Sequence, residues 1–318
     1  MTALRQLRGP RASALFPVLA YAAGERLFLL DDASLAFGFL CEPLPAGDQG
    51  EADRLSVLLN QDWPKDTLLQ VMLWASPDIE EPLARMRGLR IEHADALLRE
   101  ATTQRAEFLR RGTDSALGPG SELRVRDLQV IVTVKLPIAS AVPTEAELRE
   151  ASELRIGTEQ VLATAGLKPQ GLTADRYVRL MNVLLNWGEG AGWRDRIIPE
   201  CEPQRLVREQ LLDLDHAIGV DARGITLGDC RVQTLSVKRF PDRVAFGMAA
   251  RFLGDPLSGT RGVRHNVLMC LNLHFPEPES ARVRLTAERQ WAANMAYGPL
   301  VKFLPALAQR KHGFDVLF

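Results

Sequence analysis

Apolar residues recur in short runs along the first part of the chain, with turn-forming residues between them. Runs of this kind, rich in branched and aromatic side chains, are typical of β-strands. The pattern predicts strands at residues 18–22, 27–30, 35–44, 68–75 and 122–136. The pair Asp31-Asp32 supplies the turn between the second and third of these strands. The first region is therefore predicted to be built around a sheet.

Apolar residues at three- and four-residue spacing predict the helices. Residues 78–111 have one such face and several acid-to-base pairs four residues apart, so a single helix of ~50 Å is predicted unless Gly88 breaks it. Thr144 and Glu147 have the spacing of a capping box, which predicts a helix from there to residue 165. Further helices are predicted at residues 48–60, 173–187 and 203–215, and from Thr286 onward with kinks at Pro299 and Pro305.

The second half of the chain returns to strands before the last helix. They are predicted at residues 218–220, 224–227, 232–239, 244–252 and 265–275. A chain of 318 residues exceeds the ~250–300 residues at which a single core stops growing, so two subdomains are expected. The predicted fold class is α+β (mixed α/β). Its two packed subdomains, residues 1–142 and 143–318, are each predicted to hold a partly antiparallel sheet covered by helices.

Composition and charge narrow the function classes. Hydrophobic residues make up 46% and charged residues 25% of the chain, as in an ordinary soluble globular protein. The net charge of -1 provides no overall field that attracts nucleic acid or an anionic membrane. The cysteines show no metal-binding or redox spacing, so buried free thiols are expected. They are Cys41, Cys201, Cys230 and Cys270.

The N-terminal residues have some features of a secretory signal peptide. Arg5, Arg8 and Arg11 precede a short apolar stretch at residues 12–23. Pro17 interrupts that stretch, so we expect a basic arm that leads into the first strand instead. No apolar run along the chain reaches the ~18–20 residues that a membrane-spanning helix needs.

Several short sequences, taken in order, carry a resemblance to a known family. Residues 27–39 (Leu-Phe-Leu-Leu-Asp-Asp-Ala-Ser-Leu-Ala-Phe-Gly-Phe), 43–48 (Pro-Leu-Pro-Ala-Gly-Asp) and 73–79 (Leu-Trp-Ala-Ser-Pro-Asp-Ile) resemble the start of conjugative-transfer ATPases. The branch they resemble is the F-pilus-assembly, TraC-like branch of the type IV secretion motor proteins. Similar sequences recur at residues 206–210, 227–229, 235–238, 253–256 and 303–307. The resemblance spans residues 15–318, and its specificity comes from the order of the motifs.

The resemblance implies that the chain is the N-terminal region of such an ATPase. It implies docking of the motor to the inner-membrane channel components of a type IV secretion system, for pilus assembly and for transfer of DNA or protein. The implied location is cytoplasmic and peripheral to the inner membrane of a Gram-negative bacterium. ATP and magnesium would then bind in a motor domain beyond this chain, and the whole protein would self-associate through that domain as a hexamer. The apolar residues 314–318 are expected to continue into it.

A nucleotide site of this class needs the pattern G-x-x-x-x-G-K-[ST] between a strand and a helix. The nearest match, residues 254–261, has Thr260 where lysine is needed and Arg261 where serine or threonine is needed. It is predicted to be a hairpin loop, and no run of four apolar residues followed by Asp-Glu occurs. We therefore predict no catalytic, cofactor-binding or metal-binding residues, and no nucleotide hydrolysis by this chain alone.

Two other functions stay open from the sequence. Asp213, Asp215 and His216 would serve a small hydrolase if their side chains converge on one point. A nucleic-acid-binding module would use the densest basic neighbourhood, although acidic residues are interleaved with it. Its members are Arg105, Arg110, Arg111, Arg124 and Arg126.

Two further kinds of site are not predicted. A metal site from His265, Cys270 and His274 is disfavoured. Residues an odd number apart on a strand face opposite ways, and Cys270 and His274 would be ~13 Å apart. Cys41 has no nearby histidine base in the sequence, so it is not predicted to be a nucleophile.

The predicted contact residues for docking lie on loops and on the long helix. Trp63 and Trp193 are large aromatic residues in predicted loops, where such residues often contact a partner. Arg85 and Arg99 lie on the predicted helix 78–111, whose outer face is the proposed contact surface. The expected partners are channel proteins, not a small-molecule substrate or nucleic acid.

Overall fold

The structure is a computed structural model that describes most, but not all, residues of the chain. The described residues are 12–44, 49–90, 95–118, 124–188, 190–195, 200–213, 216–222, 224–236 and 266–296. Several predicted features fall outside them: the strand at 244–252, the loop at 254–261, the kinks at Pro299 and Pro305, and the C-terminal residues 314–318.

The described strands form two antiparallel sheets. Their bounds are β1 Val18–Ala22, β2 Leu27–Leu30, β3 Ser34–Cys41, β4 Thr67–Ser76, β5 Asp127–Pro137, β6 Gln170–Gly171, β7 Ile218–Asp221, β8 Gly224–Leu227, β9 Cys230–Val232 and β10 Leu268–Phe275. The large sheet has the strand order β1-β2-β3-β5-β4-β10, and β6 pairs with β3 as a seventh strand. The small sheet has the order β7-β8-β9. All recorded pairs are antiparallel.

Six helices occur in the described residues. They are α1 Gln49–Leu59, α2 Glu80–Gly88, α3 Ala96–Asp114, α4 Glu145–Thr164, α5 Ala174–Leu185 and α6 Pro278–Ala296. Short 3-10 turns occur at Ala12–Leu15, Gly192–Asp195 and Val207–Gln210. Helices and antiparallel sheets together confirm the α+β prediction, whereas the predicted boundary between residues 142 and 143 stays a prediction.

One face of the large sheet, which we call the first face, is packed by apolar side chains under α1 and α4. Alternation along β3 points Phe37 and Phe39 to this face, where both are almost fully buried. Val132 and Val134 of β5 lie in the same cluster. Leu58 of α1 and the α4 residues Ala151 and Leu162 close the cluster from above. This layer is the largest apolar core in the described residues.

The opposite face of the large sheet is covered by α5 and by two of the 3-10 turns. Phe28 and Leu30 of β2 pack there against Val178 of α5 and against Leu211, which follows the turn Val207–Gln210. Trp74 and Ile131 form the next cluster along this face, with Val183 and Trp193 over them. Helix α5 therefore lies across the sheet with its apolar stripe inward.

The single long helix predicted at residues 78–111 is wrong, because the structure has two helices there. Helix α2 ends at Gly88, the residue at which a break was foreseen, and α3 starts at Ala96. Glycine is a poor helix former, so a helix readily stops there. Ile79 and Leu83 pack on Ala106 of α3, which gives the two helices a small core of their own.

Several other boundaries differ from the predictions. The predicted helix at 203–215 is reduced to the turn Val207–Gln210, because the Gln210 amide donates to the carbonyls of Glu202 and Arg205 and so competes with helical pairing. Helix α6 begins at Pro278, eight residues before Thr286, since proline suits the first helical position.

Three other elements hold but are cut short at one end: β3 ends at Cys41, β5 begins at Asp127 and α5 ends at Leu185. The strand predicted at 232–239 is wrong in its described part, because β9 covers Cys230–Val232 and residues 233–236 form no strand. The capping box is confirmed: Glu147 N donates to Thr144 Oγ1, and Thr144 N donates to a Glu147 carboxylate oxygen.

Candidate functional site

Helix α3 has a closely packed inner face. Asp95 caps its N-terminus, where a carboxylate oxygen accepts a hydrogen bond from Leu97 N at 2.9 Å. Thr102, Ala106 and Gly112 are buried along the inner face. A Cβ at Gly112 would come within 2.7 Å of a Val125 methyl carbon, so this helix end has no room for a larger residue. The small residues of its inner face therefore let α3 pack closely against the rest of the protein.

The outer face of α3 carries apolar residues that are largely exposed. Leu97 is 76% exposed and Phe108 is 44% exposed. Eleven residues make about three helical turns, so these two side chains lie on the same side of the helix, ~16 Å apart along its axis. Ala101 lies between them and is also exposed. This face is the best match in the described residues to the contact surface predicted from the sequence.

The predicted contact residues Arg85 and Arg99 are both exposed. Arg85 of α2 lies 3.4 Å from a Glu42 carboxylate oxygen, and the same carboxylate binds Lys168 at 2.7 Å. These two cations, Lys168 first, hold the pKa of Glu42 below its ordinary value. Arg99 lies in the first half of α3. Contact of either arginine with a partner stays a prediction.

The two predicted contact tryptophans have different surroundings. Trp63 is half-buried. Its indole N–H donates to the Leu58 carbonyl at 2.9 Å, and its ring centroid lies 5.7 Å from that of Phe275. Trp193 is only 7% exposed, and its N–H donates to the Asn186 carbonyl at 2.7 Å. In this structure Trp193 belongs to the core, because the turn Gly192–Asp195 folds onto Trp74. Its role at an interface stays an untested prediction.

Two buried asparagines hold this part of the molecule together. The Asn182 amide of α5 donates to the Val178 and Gln210 carbonyls at 2.9 and 3.2 Å. The Asn186 amide donates to Asn182 Oδ1 and to the Leu211 carbonyl, both at 3.1 Å. Asn186 is fully buried. Sequence reasoning missed both residues, although a polar residue repeated four positions on, within an apolar stripe, is the signal that points to such a network.

Of the three residues of the alternative hydrolase site, Asp213 has a structural role. A carboxylate oxygen of Asp213 accepts a hydrogen bond from Gly192 N at 2.9 Å, and Asp213 N donates to Asn186 Oδ1 at 3.1 Å. The His216 Nε2 atom is buried and makes no hydrogen bond in the described residues. Asp215 lies outside the described residues. Neither described cavity is lined by Asp213 or His216.

The arginines of the alternative nucleic-acid site do not form one exposed patch. Arg110 is mostly buried and bonded to Glu80 at 2.6 and 2.8 Å, and this pairing raises its pKa. Arg126 donates to the Thr113 carbonyl at 2.8 Å, and burial, with a smaller contribution from Arg124, lowers its pKa to about 10. The other three arginines are exposed.

The thiols are free in the structure, but only one is buried. Burial raises the pKa of Cys41 to about 12, which leaves it unreactive at neutral pH. Cys201 and Cys230 are partly exposed and Cys270 is exposed, so the prediction of buried thiols is wrong for these three.

His274 pairs with Asp66 at 3.2 Å, whereas His265 is not described. The described residues contain no group of three potential metal ligands.

A cavity lies on the opposite face of the sheet, beside α5. Its volume is about 410 Å³, within the range of small-molecule pockets. Met72, Ile131 and Leu184 are among its mostly apolar lining residues. Gln70 and Thr133 on its floor bond to each other at 3.2 Å, so this polar pair is already satisfied.

None of the described helices is both long enough and apolar enough to cross a membrane.

Comparison with known proteins identifies the family. No individually characterised protein matches the chain. A protein-family model described as TraC protein matches residues 12–318, almost the whole chain. The matched family is that of the F-pilus assembly ATPases, whose role lies in pilus assembly and conjugative transfer through type IV secretion. This chain therefore belongs to the TraC family of conjugative-transfer proteins.

Proposed function

We propose that this chain is a non-catalytic N-terminal portion of a conjugative type IV secretion ATPase, and that it docks the motor to the inner-membrane channel complex. The observation that carries the proposal is the outer face of α3, which exposes Leu97 and Phe108 on a chain of the TraC family. Exposed apolar side chains beside charged ones are typical of protein contact sites.

The proposal assigns the chemistry of ATP hydrolysis to a motor domain outside this chain. ATP and magnesium would bind there, and self-association as a hexamer would occur through that domain. The protein would then be cytoplasmic and peripheral to the inner membrane. Within the described residues, Asp213 and Arg110 are used in structural contacts, so neither alternative function gains support from them.

Co-purification of the chain with the inner-membrane channel proteins of its own transfer system tests the docking proposal. We expect Arg85→Glu and Arg99→Glu to lower the recovered channel protein several-fold, because both are exposed and are the charged contact residues predicted from the sequence. Arg149→Glu, on the exposed side of α4, is the matched control. Unchanged recovery in both variants would remove these arginines from the contact surface.

A second measurement tests the absence of catalysis. Phosphate release by the purified chain with magnesium and ATP is expected to equal that of the buffer. Magnesium-dependent turnover by this chain would overturn the non-catalytic part of the proposal without affecting the docking part.

A further inference from the structure

The cavity beside α5 is elongated, and its floor follows strand β4. Alternation along a strand places every second residue on one face of the sheet. Four successive residues on the opposite face of β4 line the cavity: Leu68, Gln70, Met72 and Trp74. They span ~20 Å of strand, so the cavity is a long trough, which we call the β4 trough.

The β4 trough lies between two packed apolar clusters of the opposite face. Phe28 and Leu30 of its lining belong to one cluster, and Trp74 and Ile131 belong to the other. Protein interiors are close-packed, so a gap of about 410 Å³ leaves the lining side chains without partner atoms on one side. A ligand that fills the gap would supply those contacts.

The polar side chains of the trough are already bonded or uncharged. Lys135 is the one charged side chain among its described lining residues, and it pairs with Asp32. The side-chain oxygen of Gln70 accepts a hydrogen bond from the Thr133 hydroxyl at 3.2 Å. Burial raises the pKa of Tyr177 to about 12, so this phenol is neutral at neutral pH. The lining therefore favours an uncharged ligand.

We infer that the β4 trough binds an uncharged ligand through a single aliphatic chain. Such a chain is long and narrow like the trough, makes dispersion contacts along its length, and needs no hydrogen-bond partner. Met72 and Met181 suit this ligand, because flexible thioether side chains adapt to its shape. None of the described lining residues belongs to α3, so the inference does not depend on the proposed docking surface.

Two other kinds of occupant fit the trough less well. An α-helix ~20 Å long and ~10 Å wide would fill ~1,500 Å³, far more than the volume of about 410 Å³. An extended peptide needs partners for its backbone N–H and C=O groups. Strands β4 and β5 of the floor are each paired on both sides, so they offer no free edge to a peptide.

Alkyl maltosides of increasing chain length test the inference, because they share one uncharged head group. Each is added below the concentration at which it forms micelles. Binding to the intact chain is measured by displacement of the apolar fluorescent probe phenylnaphthylamine. We expect the affinity to rise about fourfold for each added CH₂ group between octyl and dodecyl maltoside. An affinity that does not depend on chain length would overturn the inference.

Variants that fill the trough locate the binding site. Leu184→Trp, on the α5 side, should weaken dodecyl maltoside binding about tenfold, because the larger side chain takes up space that the ligand needs. Leu128→Trp is the matched control, since Leu128 is 49% exposed and does not line the trough. Circular dichroism shows whether each variant is folded. If Leu184→Trp is not, Ala36→Leu on the floor replaces it, with a several-fold loss expected.

The remaining outcomes decide the site and the kind of ligand. Equal affinity in the parent protein and in a folded trough variant, or an equal loss in Leu128→Trp, would overturn the inference. So would tighter binding of a polycyclic aromatic such as pyrene, because the occupant would then not be an aliphatic chain. Flotation with phosphatidylcholine vesicles that Leu184→Trp abolishes would support the inference with a bilayer lipid as the source of the chain. Maltoside binding without flotation would support it with a free single-chain ligand.

Discussion

The two faces of the large sheet are built in different ways. On the first face, α1 and α4 cover the sheet with apolar contacts, and Phe37 and Phe39 are almost fully buried between them. On the opposite face, α5 shares the cover with 3-10 turns that are held by Asn182 and Asn186, and a cavity of about 410 Å³ remains.

The two faces therefore depend on different interactions for their stability. Apolar area buried between regular elements stabilises the first face without needing any one hydrogen bond. The opposite face is assembled from irregular segments, whose backbone groups need partners when they are buried. The two asparagines supply those partners, so this face depends on a few polar atoms.

The largest effect is expected when the first face is disrupted. Phe39→Ala should lower the free energy of unfolding by about 3–5 kcal/mol, because Phe39 is 1% exposed and packs against Phe37, with the two ring centroids 6.0 Å apart. Leu184→Ala on the opposite face is the comparison, expected to cost only about 1–2 kcal/mol because Leu184 already borders a cavity. Urea unfolding followed by circular dichroism measures both. Equal losses would show that the two faces are packed alike.

A smaller loss of stability, confined to the opposite face, is expected when the buried asparagine network is changed. Asn186→Leu should cost about 2–3 kcal/mol, because the Leu211 carbonyl and the Asp213 N–H would lose their buried partner. Asn60→Ala is the control, since Asn60 makes a similar bond to Ser56 at an exposed position. Limited proteolysis should cut the variant near residues 200–213 before the rest of the chain. A protease pattern like that of the unchanged protein would argue against this role of Asn186.

Sequence reasoning succeeded where local rules decide the structure. The apolar runs of β3 and β5 and the Thr144–Glu147 capping box each depend on residues close together in the chain, so the sequence was enough to predict them. The break at Gly88 was foreseen only as a condition, because helix spacing alone cannot decide whether a glycine ends a helix.

The parts that failed depend on distant residues. The segment at 203–215 has helical spacing, but the Gln210 side-chain amide donates to the carbonyls of Glu202 and Arg205. The backbone carbonyl of Gln210 accepts a hydrogen bond from the distant Asn182. Trp193 follows Gly188, Gly190 and Gly192, so the sequence predicts only a loop there, whereas its burial depends on Trp74, more than a hundred residues earlier. For the candidate site, the outer face of the helix was predicted from the sequence, whereas the burial of Arg110 and its bonds to Glu80, thirty residues earlier, are seen only in the structure.

The smallest expected effect concerns charge on the opposite face, at Asp127 of β5. Burial raises the pKa of Asp127 above its ordinary value of 3.8, although a hydrogen bond from Gln129 at 2.6 Å and the Arg85 charge act the other way. A raised pKa in the folded state gives stability below the unfolded pKa, and that stability is lost as the pH rises through the folded pKa. Asp127→Asn should therefore raise stability slightly at pH 7.

The pH dependence of that gain distinguishes burial from ion pairing. The gain should shrink as the pH falls towards 3.8 and disappear below it, where the carboxylate is protonated in both states. Thermal unfolding of the two proteins across this range measures it, with Asp62→Asn as an exposed control. A variant that is less stable than the parent at pH 7 would mean that attraction to Arg85 outweighs burial. In that case the opposite face would be held by ion pairs as well as by its asparagines, and its difference from the apolar first face would be greater.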